Sequence, residues 1–356
     1  MRSARGHPRP PFQEAAVADE GVRAPITMAT HRITWQKVTL SCLVPAAMSK
    51  TALMFAGQGA QVVGMGKDLA EAFPDAAAWF ERGNAVLGYD LAAICFIGPE
   101  AELTKTEHAQ PGIFLASWIC FQMLKARVPN LAFDAAAGLS LGEFTALAAA
   151  GSLTFEGALR LVRQRGRFMQ EACEATRGGM AAIIGLDEPA TREICAQTGV
   201  TLANLNCPGQ LVISGPAEGI ERACELAKGR GARRALPLAV AGAYHSPLMA
   251  EAQTKLEPEL RQARLAPTTV SVICNVTARP HGEPESIRTR LLEQVTAPVR
   301  WEESMRYLLG QGFTRFIELG PGTALSGFMK RIDKTVEVLS VGNLPGLELA
   351  AAFSIS

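Results

Sequence analysis

The sequence predicts an α/β fold with a mostly parallel β-sheet and a small inserted ferredoxin-like subdomain. Three patterns support this prediction. From Thr51 onward, short apolar runs alternate with helix-forming segments, as in sheets whose parallel strands are joined by helices. Residues 138–142 are Gly-Leu-Ser-Leu-Gly at a strand-to-helix junction, and residues 177–240 follow the order β-α-β-β-α-β. Functional side chains are therefore expected at the carboxyl ends of the parallel strands.

The first elements follow from hydrophobic runs and turn residues. A buried strand is expected at 51–56, running into the glycine turn at 57–61. The apolar run 135–137 leads into the turn at 138–142, and strong helix formers follow at 143–150. Further helices are expected at 64–72, 75–87, 112–127 and 154–173.

The inserted subdomain follows the Gly178-Gly179 pair. Its strands are expected at 180–186, 200–205, 210–214 and 234–240, and its helices at 188–197 and 217–229. The larger domain then resumes, with helices expected at 246–263, 285–295 and 301–311, strands at 270–274 and 314–318, and a turn at 318–322.

These elements divide the chain into four parts. Residues 1–47 are rich in Arg, Pro and His without a sustained period, so we expect a disordered or mis-assigned extension and a start at Met48. Residues 48–176 and 241–345 are expected to form a large subdomain that contains the strand-to-helix turn at 138–142 (the elbow). Residues 177–240 are expected to form the small subdomain, and 346–356 a C-terminal tail.

Composition argues against several classes of protein. With 35 Lys+Arg and 34 Asp+Glu, the net charge of +1 argues against general nucleic-acid binding. The eight cysteines form no C-x-x-C pair, so we expect buried thiols in a reducing compartment rather than disulfides or metal ligands. No run of eighteen apolar residues indicates a membrane span. We expect a cytoplasmic protein, or a plastid one if the source is eukaryotic.

Ser140 is the candidate nucleophile. The glycines two residues before and after it allow a strand and a helix to pass closely, which would expose the hydroxyl at the helix N-terminus. Backbone N–H groups there could stabilise an oxyanion. Because the pattern is short and common, a glycine-flanked helix start without catalytic function explains it equally well.

A nucleophilic serine needs a base, and the chain has five histidines. Two lie in the irregular N-terminal segment, one is expected in a solvent turn, and one precedes a helix, where capping fits better. These are His7, His31, His281 and His108, respectively. Elimination leaves His245, in the loop that returns the chain to the large subdomain. No acid follows in a position typical of Ser-His-Asp hydrolases, so a backbone carbonyl should orient the imidazole.

Five motifs in this order and spacing resemble the malonyl-CoA:acyl carrier protein transacylase family. They are G-Q-G-A-Q (57–61), G-L-S-L-G-E (138–143), Q-R-G-R-F-M-Q-E-A (164–172), N-L-N-C-P-G-Q (204–210) and G-A-Y-H-S-P-L-M (242–249), with E-L-G-P-G (318–322) as further support. The resemblance extends from about Leu53 to Asn343. It implies an α/β-hydrolase-like core with a ferredoxin-like insertion.

The resemblance implies a role for each matched residue. Ser140 would be the nucleophile that becomes malonylated, and His245 the base that activates it and later the thiol. The backbone N–H groups of Gln58 and Leu141 would form the oxyanion hole. Arg165 would bind the malonyl carboxylate, which its planar guanidinium can grip with two hydrogen bonds.

Three matched residues have simpler explanations from the residues alone. Arg165 would be a solvated charge on a helix that also contains Arg160, Arg163 and Arg167. Asn204 and Asn206 could line the cleft, although turn formation around 208–209 explains them almost as well.

Three positions depart from the commonest form of the family. Leu139 stands where histidine is frequent, which leaves the nucleophile intact. Tyr244 stands where phenylalanine is frequent, and its ring leaves little room for an α-methyl group on the acyl chain. Arg300 stands where glutamine is frequent, and the resemblance implies that a backbone carbonyl there orients the imidazole.

The implied reaction is malonyl transfer from malonyl-CoA to the phosphopantetheine thiol of an acidic acyl carrier protein, by a ping-pong route in fatty-acid or polyketide synthesis. No bound cofactor, metal, nucleic acid or membrane is expected, and the protein is expected to be a monomer. Alternatives are an acyltransferase for another acyl-CoA, a serine esterase using the same elbow, and a non-catalytic module that binds carrier proteins.

Overall fold

The computed structural model describes residues 50–355. The expected extension at 1–47 and the expected start at Met48 lie outside the described residues. The same holds for His7, His31 and Cys42. Among the described helices, none is long and apolar enough to cross a membrane.

Helices and strands are interspersed along the described chain, with five helices between the first two strands. The first part contains β1 (Lys50–Phe55), α1 (Lys67–Ala72), α2 (Pro74–Leu87), α3 (Leu91–Ile97), α4 (Glu100–Thr104), α5 (Thr106–Arg127), β2 (Ala135–Gly138), α6 (Gly142–Ala149) and α7 (Phe155–Ala175). The middle part contains β3 (Gly178–Ile184), α8 (Glu188–Thr198), β4 (Thr201–Cys207), β5 (Gln210–Pro216), α9 (Ala217–Gly229) and β6 (Arg234–Pro237). The last part contains a 3-10 turn (Pro247–Met249), α10 (Ala250–Gln262), β7 (Ser271–Ile273), α11 (Pro284–Glu293), α12 (Trp301–Gly310), β8 (Phe313–Leu319), α13 (Ala324–Ile332), β9 (Glu337–Val341) and α14 (Leu344–Ile355).

The larger sheet is parallel throughout, in the order β7-β2-β1-β8-β9. Its central strand is buried on both faces, as expected for a parallel strand covered by helices. Leu53 and Phe55 belong to the core that includes side chains of α2, α5 and α7, while Ala52 and Met54 belong to the core that includes side chains of α12 and α13. This arrangement confirms the predicted mostly parallel α/β core.

The smaller sheet is antiparallel, in the order β4-β5-β3-β6. With α8 and α9 between its strands, it has the order and pairing of a ferredoxin-like unit, as the sequence predicted. It has a separate hydrophobic core that includes Ile183, Ile194, Ile213 and Ala223. These strands fall within residues 177–240, although the subdomain boundaries themselves stay a prediction.

Register at the carboxyl edge of the large sheet brings two predicted turns together. Phe55 at the end of β1 pairs with Gly138 at the end of β2. The Leu139 N–H donates to the Phe55 carbonyl at 3.1 Å, so the elbow starts directly beside the 57–61 turn. The edge of the parallel sheet is therefore where the candidate groups meet.

Two sequence-based expectations need correction here. Residues 346–356 were expected to form a tail, whereas α14 runs to Ile355 and buries Leu347 and Ala350. Its apolar residues are spread around the helix rather than along one stripe, so no helical period marks it. His108 was expected ahead of a helix, but it lies inside α5, with Nδ1 3.0 Å from the Glu102 carbonyl.

The described cysteines confirm the prediction of buried thiols. All of them are free and buried: Cys95, Cys120, Cys173, Cys195, Cys207, Cys224 and Cys274. Burial raises the pKa of the Cys120 thiol to about 12 and that of the Cys173 thiol to about 11, so both are protonated at neutral pH.

Candidate active site

The elbow holds Ser140 in a left-handed backbone conformation, with φ of 53°. A Cβ on Gly138 would lie 1.9 Å from the Gly142 carbonyl carbon, and one on Gly142 would lie 2.2 Å from the Phe55 oxygen. Both glycines are therefore required by close backbone contact. Asn275 braces the turn: its Oδ1 accepts the Ser140 N–H at 2.7 Å, and its Nδ2 donates to the Gly138 carbonyl at 2.7 Å.

Ser140 and His245 form a hydrogen-bonded pair. The Ser140 Oγ lies 2.8 Å from Nε2 of His245. The Nδ1 of His245 lies 2.9 Å from the Gln294 carbonyl and 3.1 Å from the Ala297 carbonyl. A proton on Nδ1 therefore leaves Nε2 free to accept the serine proton.

This geometry confirms that backbone carbonyls orient the imidazole, but the expectation of the Arg300 carbonyl was wrong. That carbonyl begins α12 and accepts from the N–H of Ser304 at 3.0 Å and from its hydroxyl at 2.9 Å. The Gln294 and Ala297 carbonyls follow the end of α11, where helix carbonyls lack intrahelical partners.

Arg165 lies on α7 and is 1% exposed, so its interpretation as a solvated helix charge was wrong. Nη1 donates to Gln110 Oε1 at 2.7 Å, and Nη2 donates to Ser140 Oγ and to Gln294 Oε1, both at 3.0 Å. Burial lowers its pKa to about 10, which leaves the guanidinium charged at neutral pH. Within residues 50–355, no carboxylate lies at ion-pair distance from it.

Of the two predicted oxyanion donors, Leu141 directly follows Ser140 in the chain, and Gln58 lines the same cleft as Ser140 and His245. The backbone N–H groups of Gln58 and Leu141 donate to no protein acceptor within the described residues. The Gln58 side chain is fixed, because its Nε2 donates to the Tyr244 hydroxyl at 3.1 Å and its Oε1 accepts from Gln110 at 3.2 Å. The Tyr244 hydroxyl also lies 2.5 Å from the Thr106 hydroxyl.

A cleft of about 270 Å³ opens at Ser140 and His245. Tyr244, Asn204 and Asn206 also line it. The Asn206 Oδ1 atom is buried and has no protein partner among the described residues. Both asparagines thus stand where a bound molecule could meet them, as the cleft-lining expectation requires.

A second buried cluster lies behind the elbow, at Glu143, Cys274 and His281. His281 was expected in a solvent turn, and this was wrong: its side chain is fully buried, with Nε2 2.6 Å from Glu143 Oε1. The His281 N–H donates to the Val272 carbonyl at 2.8 Å, and Pro280 bridges Ile273. These contacts turn the Arg-Pro-His-Gly segment inward along the edge of β7.

The family model described as acyl transferase domain matches residues 53–344. The chain belongs to this family. It is 44% identical over 308 residues to the malonyl CoA-acyl carrier protein transacylase of Bacillus subtilis, covering 85% of this chain and 96% of that one. It is 40% identical over 311 residues to the Escherichia coli K12 protein of the same name, covering 85% and 99%.

Solved structures agree with this acyl transferase fold. A malonyl CoA-acyl carrier protein transacylase from Coxiella burnetii has a TM-score of 0.82 and 37% identity, covering 85% of this chain and 97% of that one. A malonyl-transacylase in complex with its type II PKS acyl-carrier protein has a TM-score of 0.83 and 39% identity, covering 86% and 100%.

Several polar residues of the acyl transferase site were missed from the sequence. They are Asn275, Gln294, Gln110 and Glu143. Glu143 had a visible signal, since an otherwise apolar helix is expected to be buried and a buried carboxylate is costly unless it is paired. The three amides have no comparable signal, because isolated Asn and Gln residues are common on surfaces.

Proposed function

We propose that this acyl transferase moves a malonyl group from malonyl-CoA to the phosphopantetheine thiol of acyl carrier protein, through a malonyl ester of Ser140. The main support is Arg165: a buried, charged guanidinium 3.0 Å from the serine oxygen, with no protein carboxylate beside it within the described chain. Such a group fits an acyl chain that ends in its own carboxylate. The names of the relatives agree with this substrate.

The first half-reaction forms the serine ester. His245 takes the Ser140 proton on Nε2 as Oγ attacks the thioester carbon, and the Gln294 and Ala297 carbonyls stabilise the imidazolium through Nδ1–H. The oxyanion would accept from the N–H groups of Gln58 and Leu141, each typically worth about 3 kcal/mol of barrier. When the carbon–sulfur bond breaks, the imidazolium proton goes to the CoA sulfur.

The second half-reaction reverses these steps with a different thiol. The phosphopantetheine thiol gives its proton to His245, its sulfur attacks the ester carbon, and Ser140 leaves with the proton restored. Arg165 holds the malonyl carboxylate in both halves. The acyl carrier protein thus brings the phosphopantetheine thiol, and the enzyme supplies side chains and backbone groups of its own.

The pH dependence of acylation tests whether the base has the lowered pKa of the buried His245. Burial, with a contribution from the charge of Arg165, lowers the pKa of His245 to about 4. The base must be neutral, so the reactive form is present above this pKa and lost as the pH falls through it. We expect kcat/KM for malonyl-CoA at pH 5 to be about nine tenths of its pH 7 value, whereas an unperturbed imidazole would leave about 4% of it.

Stopped-flow acylation between pH 4 and 8 measures this profile. Circular dichroism at each pH serves as the control for folding, because a histidine with a lowered pKa destabilises the fold as the pH falls below about 6.5. An acid limb centred near pH 6.5 in folded protein would contradict the lowered pKa of the His245 base.

Intact-protein mass spectrometry tests the substrate. After mixing with malonyl-, methylmalonyl- or acetyl-CoA, we expect a malonyl adduct that acyl carrier protein removes. The methylmalonyl adduct should form more slowly, because the Tyr244 ring lines the cleft beside the serine. A preferred acetyl adduct would favour a transferase for another acyl-CoA, and rapid loss of the adduct to water would favour an esterase.

A further inference from the structure

Gln294 contacts all three candidate groups at once. Its backbone carbonyl lies 2.9 Å from His245 Nδ1, its side-chain Oε1 accepts from Arg165 Nη2 at 3.0 Å, and its Nε2 donates to the Ser140 carbonyl at 3.0 Å. The residue is 0% exposed. The side-chain amide of Gln294 therefore joins the guanidinium to the elbow, and the backbone of the same residue holds the base.

Glu143 fixes which way the amide points. Its Oε2 lies 2.5 Å from Gln294 Nε2. A carboxylate only accepts hydrogen bonds, so the NH₂ end of Gln294 must face Glu143 and the oxygen must face Arg165. The reversed amide would place NH₂ against the guanidinium N–H and oxygen against the carboxylate, which are two repulsive contacts in a dry site.

His281 in turn fixes Glu143. Its Nε2 lies 2.6 Å from Glu143 Oε1, and the Asn275 N–H donates to Oε2 at 3.2 Å. Both side chains of the pair are fully buried. His281 Nδ1 has no partner in the described chain, so a proton there would be an unpaired buried donor. A neutral imidazole with its proton on Nε2 fits this environment.

The negative charge of Glu143 also acts on Arg165. Glu143 favours the charged form of Arg165, which burial opposes. The side-chain amide of Gln294 separates Glu143 from Arg165, so the two do not form an ion pair. The guanidinium therefore keeps its capacity to bind the carboxylate of a substrate. A direct protein carboxylate on Arg165 would compete with an incoming acyl carboxylate.

We propose that the Glu143–His281 pair is a positioning unit that acts through Gln294 to aim Arg165, and so sets the preference for acyl groups that end in a carboxylate. This inference rests on the proposed malonyl transfer. Neither residue lines the cleft at Ser140 and His245. Their loss should therefore reduce the selection of malonyl over acetyl more than it reduces acyl transfer itself.

The test compares Glu143→Gln, His281→Phe and His281→Gln with wild type. The measurement is the ratio of kcat/KM for serine acylation by malonyl-CoA to that by acetyl-CoA. We expect Glu143→Gln and His281→Phe to lower this ratio by about tenfold, the effect of disturbing one hydrogen bond to a charged group. His281→Gln keeps an N–H donor for Glu143, so it should retain most of the ratio.

Leu347→Ala in α14 is the control for lost stability, since it removes a fully buried side chain that has no place in this network. If Leu347→Ala lowers Tm as much as the Glu143 and His281 variants do, it should still leave the ratio of kcat/KM for malonyl-CoA to that for acetyl-CoA unchanged. If Glu143→Gln and His281→Phe lower kcat/KM equally for malonyl-CoA and acetyl-CoA, or lower neither, the ratio is unchanged and the inference is overturned. Failure of wild type to form a malonyl adduct would instead overturn the proposed function.

Discussion

Replacing Ser140 by alanine is expected to abolish the malonyl adduct and to lower the transfer rate by at least about 10⁴-fold, as in other enzymes that lose a nucleophilic serine. No other hydroxyl is hydrogen-bonded to His245 in the described chain, so the variant has no oxygen to form the ester. Alanine occupies the same left-handed backbone position without a larger side chain, so the fold should persist. Intact-protein mass spectrometry with malonyl-CoA measures the adduct.

Ser304→Ala is the matched control. Ser304 is buried, and its hydroxyl donates to the Arg300 carbonyl at the start of α12 rather than to a group of the site. This variant should keep the adduct and the rate within about twofold, as expected when a hydroxyl remote from the chemistry is removed. A malonyl adduct of unchanged yield on Ser140→Ala would show that another group is acylated.

The order of elements and the elbow could be predicted because their signals are local. Alternating apolar runs mark the parallel strands, and Gly138 and Gly142 mark a turn whose close contacts exclude any Cβ. Ser140 could therefore be identified before the fold. The ferredoxin-like insertion was also predictable, because its six elements follow one another without long connections.

Arg165 shows what a closer examination of periodicity could have added. It lies within the stripe formed by Ala158, Leu161, Val162, Phe168 and Ala172 on α7, all of which are buried. A charged residue inside an apolar stripe indicates a buried, partnered group. The residues alone nevertheless favoured solvent, because three other arginines occur on the same helix.

The contacts that the sequence did not reveal depend on the backbone or on long-range packing. The carbonyls of Gln294 and Ala297 leave no mark in the side-chain pattern, which is why the orienting role was placed at Arg300. His281 looks like a turn residue until β7 pairs beside β2 and brings it against Glu143. Such contacts become visible only once the strand order is known.

Replacing Arg165 by alanine is expected to lower kcat/KM for malonyl-CoA by about 10²–10³-fold, because a buried bidentate partner of the carboxylate is lost. Acetyl-CoA has no carboxylate to place there, so its acylation rate should change by less than about tenfold. The comparison of the two donors in the same variant also controls for folding. Arg160→Ala, at an exposed position on the same helix, should leave both rates unchanged.

A second effect separates this role from that of a serine esterase. The charge of Arg165 contributes to the lowered pKa of His245, so its removal should raise that pKa and move the acid limb of acylation to higher pH. An esterase acting on uncharged acyl groups needs no cation beside the acyl chain, and Arg165→Ala would leave its hydrolysis rate nearly intact. Equal loss of malonyl and acetyl transfer, with an unmoved acid limb, would mean that Arg165 supports the elbow rather than binding the substrate carboxylate.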